Sequence, residues 1–130
     1  MSVPTSEEIF EKVKDCLVNA LDVDEEDVVL EASLTEDLEA ESIDFVDIVF
    51  RLEKAFDIKV PQGELFPQEL FSNKEYVREG KLTSAGVTAL GRDYPYLVLP
   101  GNAENMPVSD LAAYYNVDML VRYVAFKFAA

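Results

Sequence analysis

The chain contains no histidine, no tryptophan and a single cysteine in 130 residues. Without histidine there is no imidazole to act as a general base, to activate a serine or thiol, or to ligate a metal. A lone cysteine forms no internal disulfide. Cys16 falls on the apolar stripe of a predicted helix, so it reads as a core residue rather than a nucleophile. Bases are scarce as well: 11 Lys and Arg stand against 26 Asp and Glu, for a net charge of −15. Such a surface repels phosphate backbones, which disfavours nucleic acid and favours partners with basic patches. No apolar run is long enough for a stable membrane insertion. The N-terminal MSVPTSEEIF lacks the basic and apolar regions of a signal peptide, and with one cysteine the expected location is the reducing cytoplasm.

What is present is enough apolar surface for a core. Hydrophobic residues make up 49% of the chain, which argues against an acidic disordered tail, and the length suits one compact domain spanning 1–130. Charge is unevenly spread. Residues 1–57 hold 18 acids and 4 bases, a net −14, whereas residues 58–130 hold 8 acids and 7 bases, a net −1. The asymmetry fits a docking surface, or acidic helical faces that keep the chain soluble.

Periodicity predicts an all-α fold. Residues 5–21 carry Ile9, Phe10, Val13, Cys16, Leu17, Ala20 and Leu21 at helical spacing, with Thr5 as N-cap and Glu8 as its capping-box partner. A long acidic connection follows at 22–41, with Val28, Val29, Leu34 and Leu38 as its packing residues. Asp24 and Ser33 are placed to cap short turns, and Ser33 with Glu36 has capping-box spacing. Residues 42–57 form the strongest predicted helix. Ile43, Val46, Val49, Phe50 and Phe56 make its stripe, Phe45, Ile48 and Leu52 widen it, and Ser42 stands where an N-cap is preferred. Residues 62–108 differ in character and hold all five glycines. Short helices are expected there at 67–71, after Ser72 up to Gly80, and at 84–91, with YPYLVLPG as an extended aromatic segment. Ser109–Tyr115 and Val117–Phe128 return to helix, the latter capped by Asn116.

Chemistry of the chain's own is not expected. The acids at 22–27 fail as a calcium loop, because Asp27 stands where glycine is required and Ser33 where glutamate is required. No metal site is predicted, although crowded carboxylates can hold a cation weakly. A carboxylate pair could in principle do acid–base work, but acids this crowded read as a solvated face. No catalytic residue is assigned. Ser42 is different in context: it ends the acidic loop and opens a helix, and it has no base to activate it. It suits being modified better than reacting. A phosphodiester on it would lie at a helix N-terminus, where free N–H groups and the dipole favour an anion.

The segment LTEDLEAESIDFVDIVFRLEKAFDIKVP resembles the core of acyl carrier proteins. In that family a D-S-L tripeptide opens the second helix, and here Glu41, Ser42 and Ile43 match it. Leu34, Asp37, Leu38, Asp44, Val46, Val49, Leu52, Glu53, Phe56 and Pro61 fall at matching positions, and residues 116–124 look like the family's fourth helix. Glu39 stands where the family commonly has glycine, and Arg51 and Lys54 add positive charge to a helix that is normally acidic on its docking face.

The resemblance implies an acyl-carrier-like four-helix bundle with an extra helical and loop insert, 62–108, between the second and last helices. It implies a monomeric carrier, not an enzyme, bearing covalent 4′-phosphopantetheine on Ser42. Its partners would be a phosphopantetheinyl transferase and acyl-loading, synthase and acyltransferase enzymes of a dedicated fatty-acid, lipid or polyketide pathway. Glu36, Asp37, Glu39, Glu41, Asp44 and Asp47 would steer their basic surfaces. Val28, Val29, Leu34, Val46, Val49, Phe50, Val60, Val117, Leu120 and Tyr123 are the candidate lining of an acyl pocket, each with ordinary core as its plain alternative. Two other readings stay open: a peptidyl or aminoacyl carrier, and an unmodified acidic helical adaptor in which Ser42 is only a helix cap.

Overall fold

The computed structural model describes residues 4–61, 63–66, 72–99, 101 and 103–129. The first helix, α1 (Ser6–Leu21), starts as expected. The Thr5 side chain accepts the Glu8 backbone N–H at 3.2 Å, and the Glu8 carboxylate accepts the Thr5 N–H at 2.9 Å, so two otherwise unpaired donors are satisfied reciprocally. Its buried face is Ile9, Val13, Cys16 and Leu17. The second, α2 (Ser42–Phe56), packs against α1. The chain then passes through an accessory segment to α3 (Ser84–Asp93), the short α4 (Val108–Leu111), and the last helix α5 (Val117–Ala129). Helix α1 packs against both α2 and α5. Asn116 caps α5 as expected, its side-chain oxygen accepting the Met119 N–H at 2.9 Å.

The α2 stripe is the first correction. Ile48, Leu52 and Phe56 are the residues α2 buries, with Phe45 and Val49 packed beside them. Ile43 and Val46 are 72% and 73% exposed, and Phe50 is 53% exposed. Helical spacing alone ranks both sets alike, because α2 is apolar around most of its circumference. Which arc turns inward is decided by what α1 and the core offer it.

The acidic connection is held by backbone pairing as well as side chains. Leu34 N–H donates to the Tyr115 carbonyl at 2.8 Å, and Val117 and Asp118 donate back to the carbonyls of Ala32 and Leu30. This antiparallel bridge, centred on Ser33 and Asn116, ties the loop to the entry of α5. Val28, Leu34 and Leu38 are buried as expected, but Val29 is exposed: the chain turns at Leu30 and Glu31 and leaves Val29 on the outside.

The accessory segment holds the second correction. The helix expected after Ser72 is a hairpin, β1 (Val77–Arg78) paired antiparallel with β2 (Lys81–Leu82). Glu79 and Gly80 both take positive φ, 52° and 77°, as a two-residue loop that matches strand twist requires. The sequence signal was a two-residue turn ending in glycine between Val-Arg and Lys-Leu. Backbone bonds from Leu82 to Met106 and from Val108 to Gly80 extend the pairing to the strand's other side. Helix α3 was expected and is present, capped by Thr83, whose side chain accepts the Gly86 N–H at 3.0 Å. The helix expected at 67–71, with Phe71, lies outside the described residues.

Aromatic hydroxyls pin this segment to the bundle. Tyr94 donates to the Gly63 carbonyl at 2.5 Å and Tyr96 donates to the Glu64 carbonyl. The Glu64 carboxylate in turn accepts from the Tyr123 hydroxyl and the Lys127 ammonium, both at 2.8 Å. Burial pushes the Tyr96 and Tyr123 phenols up, aided by Tyr94 beside the first and by Glu64 beside the second.

A Cβ at Gly86 would stand 2.3 Å from the Tyr76 carbonyl oxygen, whereas one at Gly91 would meet nothing within 4 Å. Gly86→Ala should therefore lower unfolding stability by about 1–3 kcal/mol, while Gly91→Ala should raise it by up to about 1 kcal/mol. Urea unfolding of the two variants checks the pair.

Candidate functional site

The candidate site is built where the acidic loop hands over to α2. The Ser33 N–H donates to the Asp37 carboxylate at 2.7 Å and the Ser33 hydroxyl accepts the Glu36 N–H at 3.2 Å. The expected cap at Ser33 is present, but Asp37 rather than Glu36 supplies the returning carboxylate. Ala40 N–H then closes onto the Leu34 carbonyl at 2.8 Å. To make this return the backbone turns left-handed at Glu39, φ 58°, a conformation that costs an ordinary side chain and costs glycine nothing.

The chain enters α2 through Glu41, and here the N-cap assignment is corrected. Glu41 is extended (φ −102°, ψ 170°) and is the N-cap. The Asp44 carboxylate accepts its N–H at 2.8 Å, and the Asp44 N–H reaches its carbonyl at 2.9 Å. Ser42 is the first helical residue. Because the cap is supplied by Glu41 and Asp44, a serine is not needed at 42 to start the helix.

Acids surround this entry. Glu36, Asp37, Glu39 and Glu41 are exposed, and Asp44 and Asp47 half-buried. Three of the six hold local structure: Asp37 and Asp44 as described, and Asp47 paired with Arg51 at 3.1 Å. Glu36, Glu39 and Glu41 project into solvent with their charge free of any salt bridge among the described residues. A cleft of about 450 Å³ beside them is lined by Glu26, Asp27, Val29, Glu31, Ala32 and Asp37. Among the described residues no group of three acids, thiols or imidazoles could hold a metal ion.

The ten candidate pocket residues do not come together. Val28, Leu34, Val60, Val117, Leu120 and Tyr123 are buried in the packed core and Val49 is half-buried, but Val29, Val46 and Phe50 face solvent. Val46 and Phe50 lie off the arc that α2 buries, and Val29, in the acidic loop, is left outside by the turn at Leu30 and Glu31. So wide a stripe is compatible with a partly exposed apolar patch, and the structure shows which residues form it: Ile43, Val46 and Phe50, running from the Ser42 end of α2 along its open face. Its i, i+3, i+7 spacing was visible; its direction was not.

Two serines lie between residues 11 and 69, Ser33 and Ser42. That range matches a family described as the phosphopantetheine attachment site. The chain is 44% identical over 61 residues to an acyl carrier protein of Petrotoga mobilis, covering 47% of this chain and 72% of that one. It is 45% identical over 58 residues to one of Rubrobacter xylanophilus (45% and 72% covered), and 41% identical over 56 residues to one of Clostridium acetobutylicum (43% and 73% covered). The chain belongs to the acyl carrier protein family. No solved structure matches it.

The matched range covers α1 from residue 11 on, the acidic loop and α2, while α3, α4 and α5 lie beyond it. The matched domain is an attachment site for phosphopantetheine, and the geometry fits such a group. The start of α2 offers a 15-residue helix N-terminus, and the neighbours Glu41 and Ile43 are exposed, leaving room on the solvent side. No helix is long and apolar enough to cross a membrane among the described residues.

Glu39→Gly should relieve the left-handed strain and raise stability by about 1 kcal/mol, seen as a higher urea midpoint with unchanged slope. An unchanged or lower midpoint would show that the Glu39 side chain contributes more than its backbone costs.

Proposed function

We propose that Ser42 bears the 4′-phosphopantetheine arm and that the protein presents acyl intermediates to the enzymes of a dedicated fatty-acid, lipid or polyketide pathway. When bound, the arm supplies a terminal thiol that holds the acyl group as a thioester. The observation that carries the assignment is the contrast between the two serines. Ser33 is buried, with its N–H and its hydroxyl both engaged in the loop. Ser42 opens α2 between exposed neighbours. An adaptor that needs Ser42 only as a cap loses its support, because Glu41 fills that role.

The residues of this chain do the positioning. Glu36, Glu39 and Glu41 set a negative field around the serine that speeds encounter with basic enzyme faces; such pairs raise association rate more than affinity, which suits a shuttle that must release. Asp37 and Asp44 fix the loop and the helix start, so the serine is held at a defined point. The exposed strip of Ile43, Val46 and Phe50 gives the partner an apolar surface beside it. The buried subset of candidate pocket residues, Val28, Leu34, Val60, Val117, Leu120 and Tyr123, would line a cargo chain that entered by parting the helices, at a gain of about 0.8 kcal/mol per buried CH₂. The chain acts as one carrier unit, with 62–108 as an accessory cover pinned to α5 through Glu64.

Incubation with coenzyme A and a phosphopantetheinyl transferase should add one arm to the wild-type chain and to Ser33→Ala, and none to Ser42→Ala, by intact mass spectrometry. No mass gain in the wild-type chain, or a gain that persists in Ser42→Ala, would overturn the assignment.

A further inference from the structure

Residues 1–57 contain four bases, Lys12, Lys14, Arg51 and Lys54. Three of them line one groove of about 420 Å³ between α1 and α2, where Lys12, Asp15, Cys16 and Asn19 face Arg51 and Lys54. The lining sets Lys12, Arg51 and Lys54 beside one carboxylate, Asp15, and Arg51 is also paired with Asp47 at 3.1 Å, so the two lysines carry the groove's free positive charge. Neither Lys12 nor Lys54 makes a salt bridge among the described residues, although Lys12 lies near enough to Glu8 to favour its charged form. Each is held by an aromatic face instead. Lys12 lies 5.5 Å from the Phe56 ring centroid and reaches the Ala55 carbonyl at 3.5 Å, and Lys54 lies 4.4 Å from the Phe50 ring. Both lysines are exposed residues. Cys16 closes the floor, and burial pushes its thiol up, so the floor stays uncharged.

The groove's place on α2 gives it meaning. Arg51 is nine residues beyond Ser42, about 13 Å along the axis at 1.5 Å per residue. The exposed strip Ile43, Val46, Phe50 spans that interval, and Lys54 stacks on its last member. A protein laid along the strip from the serine end arrives at this groove.

We propose that the groove is a second docking point, taking a carboxylate-bearing segment of the partner enzyme, with Lys12 and Lys54 as its anchors. The inference rests on the carrier function proposed above. At physiological salt the screening length is about 8 Å, so distant acids weigh little against cations lining the groove itself. The docking surface then has two signs: negative at Ser42 and positive at the far end of α2. An enzyme whose face is basic throughout would set its cations against Lys12 and Lys54, a like-charge contact that disfavours it. The groove would therefore choose among enzymes that all suit the serine end.

The test is an NMR titration of the full-length isotope-labelled chain with a glutamate-rich peptide, and with the same peptide carrying glutamine, at physiological salt. The glutamate peptide should give saturable amide shifts at residues 12, 15, 16, 19, 51, 54 and 55, and the glutamine peptide none. Lys12→Gln with Lys54→Gln should weaken binding by about fivefold to tenfold, with the amide spectrum away from the groove unchanged. A control pair at exposed insert lysines, Lys74→Gln with Lys81→Gln, should leave it unchanged. Absence of shifts, shifts centred elsewhere, or equal loss in the control pair would overturn the proposal. Equal occupancy by inorganic phosphate would also overturn it, marking a small-anion site. Ser42→Ala should bind the peptide like the wild type, so a failed modification assay and a failed titration remain separate results.

Discussion

Helix α2 can bury only one arc, and most of the molecule follows from which arc that is. The helix carries apolar side chains nearly all the way round, yet α1 and the core cover only Ile48, Leu52 and Phe56 with Phe45 and Val49 beside them. Burying each such side chain is worth about 1.5–3 kcal/mol, so the choice is strongly fixed once made. Its complement is a strip of Ile43, Val46 and Phe50 that stays exposed among the described residues, with Lys54 lying over the Phe50 ring. The same rotation aims Arg51 and Lys54 into the groove facing α1. Strip and groove are two consequences of one packing decision, and Ser42 opens the helix that carries both.

The second constraint is the acidic loop. A connection of this length with so much like charge would repel itself if it were merely tethered at its ends. It is ordered because its backbone is bonded to the entry of α5 on one side, and because Asp37 and Asp44 spend their charge on local N–H groups. A left-handed turn at Glu39 brings it back to α2. The remaining acids are then presented at fixed positions around the serine, which is what electrostatic steering requires. The insert contributes from the other flank, where Glu64 gathers Tyr96, Tyr123 and Lys127 and couples the added segment to the last helix.

Much of this was legible in the sequence, for identifiable reasons. Helix α1 carries a narrow stripe, and α1 and α5 both carry side-chain caps, at Thr5 and Asn116, so their starts could be read directly, although α5 also buries Met119 and Tyr123. Family membership was visible in the ordered match around Ser42. What failed did so where several local solutions are nearly equal. The inward arc of α2 could not be chosen because its apolar residues do not discriminate, and with it went Val46 and Phe50 as pocket residues. The cap moved from Ser42 to Glu41 because an acid at 41 with Asp44 at the third helical position makes a competing box. The hairpin at 77–82 reads as helix in the sequence because the capping-box spacing of Ser72 and Glu75 competes with a two-residue turn ending in Gly80. The basic groove depends on residues some forty positions apart, and only its α2 half, Arg51 and Lys54, stands out in the sequence.

The central claim is that this fold exists to hold one covalently modified serine at the head of α2. The most direct measurement is peptide mapping by mass spectrometry of the protein purified from its own cells. The account predicts a phosphopantetheine adduct on the peptide that contains Ser42, with an acyl group on some fraction of it. An unmodified Ser42 peptide throughout, or an adduct mapped to a different residue, would contradict it.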